Sequence, residues 1–117
     1  MAVPARRVPK AIRASAGSIF RVPLVTGVSL SGALEALAES QVRLFAAMPG
    51  AAKPISETDF REPCAIAVGS EGRGVRPEIA AQACAIRIPT RNVESLNAAV
   101  AASVILYEAS RQRQLTP

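Results

Sequence analysis

Residues 67–75, AVGSEGRGV, place three glycines, one acid and one base directly after an apolar run. The phosphate-binding sequence G-x-x-x-x-G-K-[ST] is not present, and the glycines follow the order G-x-x-G-x-G instead of the dinucleotide-binding order G-x-G-x-x-G. The stretch instead suits a strand-to-helix turn at the carboxyl edge of a sheet, which is the usual ligand position in α/β folds. Two interpretations stay open: a loop whose main-chain amides approach a ligand, and a tight turn with a solvent-facing glutamate.

The other residue types that carry chemistry exclude several classes of site. The 117 residues contain no histidine, which excludes His-based catalysis and most catalytic zinc sites. Cys64 and Cys84 do not form a C-x-x-C pair, and we expect both to be buried, reduced thiols. We therefore expect no metal site.

The net charge of +5 is concentrated near the N-terminus. Residues 1–21 contain five basic residues and no acid, whereas the rest of the chain contains nine of each. A basic segment attracts polyanions, above all RNA, although a solvated tail gives the same pattern. Residues 1–10, which include two prolines, are predicted to form an irregular basic arm.

Helical and strand patterns alternate along the chain. Helices are predicted from about Pro9 to Ala16 and over residues 29–40, 75–84 and 90–113, and strands over residues 21–28, 42–50, 64–68 and 85–89. Residues 51–63 are polar and contain proline, which favours a surface connection with one helical turn. This alternation predicts an α/β fold with a mainly parallel sheet flanked by helices.

Details of the pattern fix the expected ends and faces of the helices. Ser29 or Ser31 would cap the second helix, and Pro77 lies near the first turn of the third. For the last helix we expect a cap at Ser95 or Asn92. Its expected apolar face consists of Leu96, Val100, Val104 and Tyr107.

The composition predicts a soluble, cytoplasmic protein. Half of the residues are hydrophobic and only 3% are aromatic, which suits a core of Ala, Val, Ile and Leu. The N-terminus has no apolar signal-peptide region, and the longest apolar run is too short to span a bilayer. We therefore expect one domain over residues 1–117 and no membrane partner.

Three stretches together resemble a known family. VGSEGRGV, the dipeptide IP at residues 88–89 and ESLNAAVAASVILYE are similar to the second and third signature motifs of the SpoU family, the RNA ribose 2′-O-methyltransferases of the SPOUT class. PKAIRASAGSIFRVPLV resembles the segment that precedes these motifs. The resemblance covers residues 8–113, nearly the whole chain.

The resemblance implies a fold and a cofactor. Family members tie the last part of the chain into a deep trefoil knot, here expected over about residues 60–113, and the knot forms the S-adenosylmethionine pocket. The cofactor would lie against the main chain of Gly69, Ile88 and Leu96. Gly74 and Ser95 would shape the pocket.

The resemblance also implies roles in catalysis and RNA binding. Glu71 and Asn97 would orient the loops and the target ribose, and tRNA or rRNA would be the substrate. The expected phosphate contacts are Arg6, Arg7, Lys10, Arg13 and Arg73. Family members are dimers, so we expect a homodimer.

One part of the family pattern is not found in these residues. The first signature motif, whose arginine is thought to activate the 2′-hydroxyl, lies upstream of PKAIRASAGS in the family, together with a strand and a helix of the sheet. We therefore expect the C-terminal part of a methyltransferase domain, truncated at its N-terminus. The alternative is a fragment or remnant that binds cofactor and RNA without turnover.

Overall fold

The computed structural model describes residues 25–69, 73–91 and 96–115. The chain divides into two compact units, residues 1–36 and 37–117. The basic arm, the helix predicted from about Pro9 to Ala16 and residues 21–24 lie outside the described residues. The strand predicted over residues 21–28 is not found in its described part, since residues 25–28 belong to no strand element.

Helix α1 spans Leu30–Glu39. The Ser29 hydroxyl accepts a hydrogen bond from the Gly32 amide at 3.1 Å, so the cap predicted at Ser29 is confirmed. At the other end the Val42 amide donates to the Leu37 carbonyl at 3.0 Å, and Gln41 has a φ of +58°. A left-handed residue directly after the cap ends the helix and turns the chain into the first strand.

Within the described residues three strands form a parallel sheet, and the parallel arrangement is as predicted. They are β1 (Arg43–Ala47), β2 (Cys64–Ala67) and β3 (Cys84–Ile86), and their order is β2-β1-β3. Helix α2, Pro77–Ala80, lies in the connection between β2 and β3, with Pro77 in its first turn as predicted. All three strands begin at one edge of the sheet and end at the other.

The two faces of the sheet differ in side-chain size. Because side chains alternate along a strand, Phe45 and Ile86 lie on one face and Ala46 and Ala85 on the other. The first face carries the core, in which the rings of Phe45 and Phe60 meet edge to face at 5.2 Å between centroids.

The connection over residues 51–63 is more than a surface loop, which corrects the prediction. It contains the expected helical turn, a 3₁₀ helix over Ile55–Glu57, but Ile55 and Phe60 are buried in the core. The Arg87 amide donates to the Lys53 carbonyl, and the Ile55 amide donates to the Arg87 carbonyl, both at 2.9 Å. Sequence polarity hid these contacts, since the buried residues are spaced singly among polar ones.

Helix α3 spans Ala98–Gln114 and corrects the predicted boundaries and face of the last helix. Its cap is Asn97, whose side-chain oxygen accepts from the Val100 amide at 2.8 Å, and not Ser95 or Asn92. The later start rotates the buried face. Its fully buried members, spaced four residues apart, are Ala101, Ile105 and Ala109. Of the predicted face only Val104 packs against the core, whereas Val100 and Tyr107 are exposed.

Gln112 fastens the end of α3 to the connection that leads into β2. Its side-chain oxygen accepts from the Phe60 amide and its side-chain nitrogen donates to the Thr58 carbonyl, both at 2.8 Å. The same nitrogen donates to Glu108. Hydrogen bonds from Arg111 and Gln112 lower the pKa of Glu108 to about 2, so this carboxylate stays ionised as an acceptor at neutral pH.

Arg113 adds a second attachment next to the first. Its guanidinium donates to the main-chain carbonyls of Phe60 at 2.9 Å and Glu62 at 3.1 Å, and it lies 3.8 Å from the Cys64 sulfur. Cys64 and Cys84 are free, as predicted, but they are half-buried where full burial was expected. Together Gln112 and Arg113 hold the C-terminal end of α3 at the amino edge of the sheet.

We predict that Gln112→Ala lowers the free energy of unfolding by about 2 kcal/mol, because it removes the side-chain partner of two buried residues, at the Phe60 amide and the Thr58 carbonyl. Gln114→Ala is the matched control, since Gln114 is exposed and makes only a 3.4 Å contact with Ser110. Urea denaturation of both variants measures the difference. Equal stabilities would show that the attachment contributes nothing.

Candidate functional site

The carboxyl edge of the sheet gathers three chain segments. The register pairs Ala46 with Ala67 and Ala47 with Ile86, so β1, β2 and β3 end side by side. Gly69 follows the end of β2 by two residues, and Ile88 follows the end of β3 by two residues. The structure therefore brings these two predicted cofactor residues to the same edge, one on each side of β1.

The orientation of α3 adds a fourth segment to this edge. Its C-terminal turn is fastened to residues 58–62, which lead into the amino end of β2. A helix of 17 residues is about 25 Å long, which exceeds the length of any strand in the sheet. Its N-terminal end, with Leu96 and Asn97, is therefore directed to the carboxyl edge.

Gly69 is required by the way the glycine loop closes on itself. A Cβ built at Gly69 would overlap the carbonyl group of Gly74 and lie 2.5 Å from the Val75 nitrogen. Gly74 has a φ of +69°, and no atom lies within 4 Å of the position that its Cβ would take. The positive φ, and not a shortage of space, therefore favours glycine at this position. The main chain at Gly69 thus packs directly against the main chain at Gly74, and this contact fixes the separation of the two ends of the loop.

The two apolar residues at this edge supply walls and main-chain groups. Ile88 packs against the core and is half-buried, and Leu96 is also half-buried. No hydrogen bond between described residues engages the main-chain groups of either residue. Apolar side chains beside free N–H and C=O groups suit a flat heteroaromatic ring, whose faces are apolar and whose edge is polar.

Asn97 has one occupied and one open hydrogen-bonding group. Its side-chain oxygen is used as the cap of α3, so only the amide N–H donors remain for a ligand. The supporting role expected of Asn97 would therefore be donation of a hydrogen bond from its side-chain amide to a ligand. The cap also holds the side chain in place at the helix end.

Six of the predicted site residues lie outside the described residues: Glu71, Ser95, Arg6, Arg7, Lys10 and Arg13. Arg73, the remaining predicted RNA contact, is described and exposed, and its guanidinium makes no ion pair with another described residue.

Two basic residues that sequence reasoning did not single out lie at the same edge. Lys53 and Arg87 are joined through their main chains by the 2.9 Å hydrogen bond described above. Arg87 lies within the strand predicted over residues 85–89 and Lys53 within the predicted connection, so the pairing of residue 53 with residue 87 required the tertiary structure. Among the described residues no group of His, Cys, Asp and Glu is suited to hold a metal ion, and no described helix is long and apolar enough to cross a membrane.

Comparisons with known proteins bear on this arrangement. The sequence model of the SpoU rRNA Methylase family matches residues 3–107. An uncharacterised tRNA/rRNA methyltransferase of Synechocystis is 39% identical over 107 residues, which cover 90% of this chain and 39% of that protein. The chain therefore belongs to the SpoU methylase family, and it spans well under half the length of this relative.

Solved structures of the family share the fold. The SpoU methyltransferase AviRb from Streptomyces viridochromogenes, solved in complex with the cofactor AdoMet, superposes with a TM-score of 0.87 at 28% identity over 99% of this chain and 48% of its own. A structure described as giving insight into 2′-OH methylation of C/U34 on tRNA superposes with a TM-score of 0.83. It is 33% identical over 97% of this chain and 78% of its own.

We predict that Gly69→Ala opens or unfolds the glycine loop, because the added methyl group overlaps the main chain of Gly74 and cannot be relieved by a rotamer change. The expected loss of stability is about 2 kcal/mol or more, measured by thermal unfolding. Gly50→Ala is the matched control, since no atom lies within 4 Å of its Cβ position. Equal melting temperatures for the two variants would contradict the closed loop.

Proposed function

We propose that this chain is the cofactor-binding part of an RNA methyltransferase that transfers a methyl group from S-adenosylmethionine to a ribose 2′-hydroxyl of tRNA or rRNA. The observation that carries this proposal is that Gly69 and Ile88 follow the ends of the two strands that flank β1, at one edge of a parallel sheet. Membership of the SpoU methylase family supports the same reaction.

The residues at the edge fit the adenosine part of the cofactor. The side chains of Ile88 and Leu96 would contact the faces of the adenine ring, and their main-chain groups would read its polar edge. Gly69 and Gly74, whose main chains meet, add no side chain of their own at the end of β2, which would let a bent ligand approach the main chain. Ser95 would complete the pocket.

When bound, S-adenosylmethionine supplies an electrophilic methyl group on its sulfonium. The chain contributes mainly by holding the ribose hydroxyl in line with that methyl group, since positioning of two reactants accounts for much of the rate in such displacements. Asn97, fixed by its cap, would donate an amide hydrogen bond to a ribose oxygen. Glu71 would orient the glycine loop, and Ile88 would exclude water from the pocket.

The family resemblance also supports a domain organisation and a location. We propose that residues 1–117 belong to a single SpoU-type domain with a trefoil knot over about residues 60–113. The path through residues 70–72 and 92–95, on which a knot depends, lies outside the described residues. A tRNA or rRNA substrate places the protein in the cytoplasm.

A specific feature of the sequence favours a second candidate function. In the family, the arginine that is thought to activate the 2′-hydroxyl belongs to a motif that these 117 residues do not contain. The chain by itself would then bind cofactor and RNA without turnover.

Calorimetric titration of S-adenosylmethionine into the purified chain tests the proposal directly. Micromolar binding that Gly69→Ala abolishes and Gly50→Ala retains is the expected result. Transfer of labelled methyl from the cofactor to RNA, read as alkali-resistant dinucleotides because 2′-O-methylation blocks cleavage of the next phosphodiester, then separates the two candidates. A folded chain that binds no S-adenosylmethionine would refute the proposal.

Substitutions at Asn97 separate its contribution to the stability of α3 from its proposed contribution to methyl transfer. Asn97→Asp keeps an oxygen to cap α3 and removes the amide donors, so we expect unchanged stability and a loss of about tenfold in methyl transfer. Asn97→Ala removes the cap as well and should cost a further ~1 kcal/mol of stability. Full transfer activity in the Asp variant would show that Asn97 serves α3 alone. If the unmodified chain has no turnover, the ribose-dependent gain in cofactor affinity replaces transfer as the readout.

We also propose that the chain forms a homodimer through the outer face of α3. On the side of α3 away from the buried Ile105, Tyr107 is 70% and Val100 is 43% exposed, two turns apart. Leu106, 51% exposed, lies on the adjoining side. Exposed apolar side chains on the last helix are suited to a self-complementary interface.

Tyr107→Arg is therefore expected to convert a sedimenting dimer into a monomer at about 50 μM without loss of helical content, because a charge would be buried in the interface. Ser56→Arg, on the exposed face of the 3₁₀ helix, adds the same charge elsewhere and should leave the dimer intact. An unmodified chain that sediments as a monomer at this concentration would rule out the interface.

A further inference from the structure

Basic side chains near the two edges of the sheet differ in whether they have partners within the described part of the chain. Near the amino edge, Arg61 pairs with Asp59 at 3.0 Å, Arg111 pairs with Glu108 at 2.8 Å, and Arg113 is bound to carbonyls. These cations are satisfied within the chain.

At the carboxyl edge four basic side chains have no such partner. They are Lys53, Arg73, Arg87 and Arg91, and none of them makes a salt bridge or side-chain hydrogen bond with a described residue. The described residues that follow the three strands, 48–54, 68–69, 73–76 and 87–91, contain no acid. Glu71 and Glu94, the acids of these loops, lie outside the described residues.

Two of these cations are held together by the main chain. The Arg87 amide donates to the Lys53 carbonyl and the Ile55 amide donates to the Arg87 carbonyl, each at 2.9 Å. Pro54 and Arg87 form a parallel bridge beyond the end of β3. Because these bonds fix the backbone of both residues, less conformational freedom is lost when their side chains bind an anion.

From this arrangement we infer that Lys53 and Arg87 bind phosphate groups of the RNA strand whose ribose is presented to the cofactor site. Arg87 directly precedes Ile88 at the carboxyl edge of the sheet. The inference rests on the proposed function and extends it to a second set of RNA contacts, separate from the N-terminal arm.

The test compares the double variant Lys53→Gln/Arg87→Gln with a charge-matched control, Arg61→Gln/Arg111→Gln. Binding of a fluorescently labelled, unmodified tRNA transcript is measured at several salt concentrations, and S-adenosylmethionine binding is measured by calorimetry. We expect the slope of log affinity against log salt to fall in magnitude by about 1.4 to 1.8 in the double variant, since each phosphate contact contributes about 0.7 to 0.9. The control should keep the slope of the unmodified chain, and cofactor affinity should change less than about twofold in both.

An unchanged salt slope in the double variant would overturn the inference. If cofactor affinity falls at the same time, the result would assign these cations to the cofactor carboxylate. Failure of the proposed function looks different: a chain that binds tRNA with the expected change in slope but never binds S-adenosylmethionine would refute the cofactor proposal and leave this inference standing.

Discussion

The position of α3 is the constraint on which the rest of this structure depends. Ile105 and Ala109 belong to the same buried cluster as Phe45 and Ile86 of the sheet, so the helix is fixed sideways by apolar packing. Burial of each large side chain contributes on the order of 2 kcal/mol. Packing of this kind is not directional, however, and would allow the helix to slide along its axis.

The polar attachment at the end of α3 removes that freedom. Gln112 and Arg113 bind main-chain groups of residues 58, 60 and 62, and such bonds tolerate shifts of only a few tenths of an ångström. With the C-terminal end fixed at the amino edge, the first turn of α3 is directed to the carboxyl edge. The position of Leu96 thus depends on contacts that lie a full helix length away from it.

The glycine loop illustrates how one residue type serves two purposes. Gly69 has no side chain because the main chain of Gly74 occupies that space, and Gly74 has none because its φ is positive. The result is a close approach of the main chain at residues 69 and 74, just after the end of β2.

The resemblance of three short motifs was enough to predict the family, and strand and helix patterns were enough to predict the parallel α/β class, because burial on both faces leaves a strong mark on strand composition. Local signals such as Ser29 and Pro77 were also read correctly, since a cap depends only on residues within one turn. The start and the buried face of α3 were not, because several polar residues before Ala98 were equally good caps and a helix rich in alanine has no marked apolar side.

Residues 51–63 show what only tertiary structure decides. The sequence there is polar, yet Ile55 and Phe60 complete the core and Lys53 is joined to Arg87, more than thirty positions away. Nothing local distinguishes a buried phenylalanine in a polar segment from an exposed one. The sequence by itself determined the strands, the glycines and the family motifs, whereas the edge at which they meet and the partners of each charge were decided by packing between segments distant in the chain.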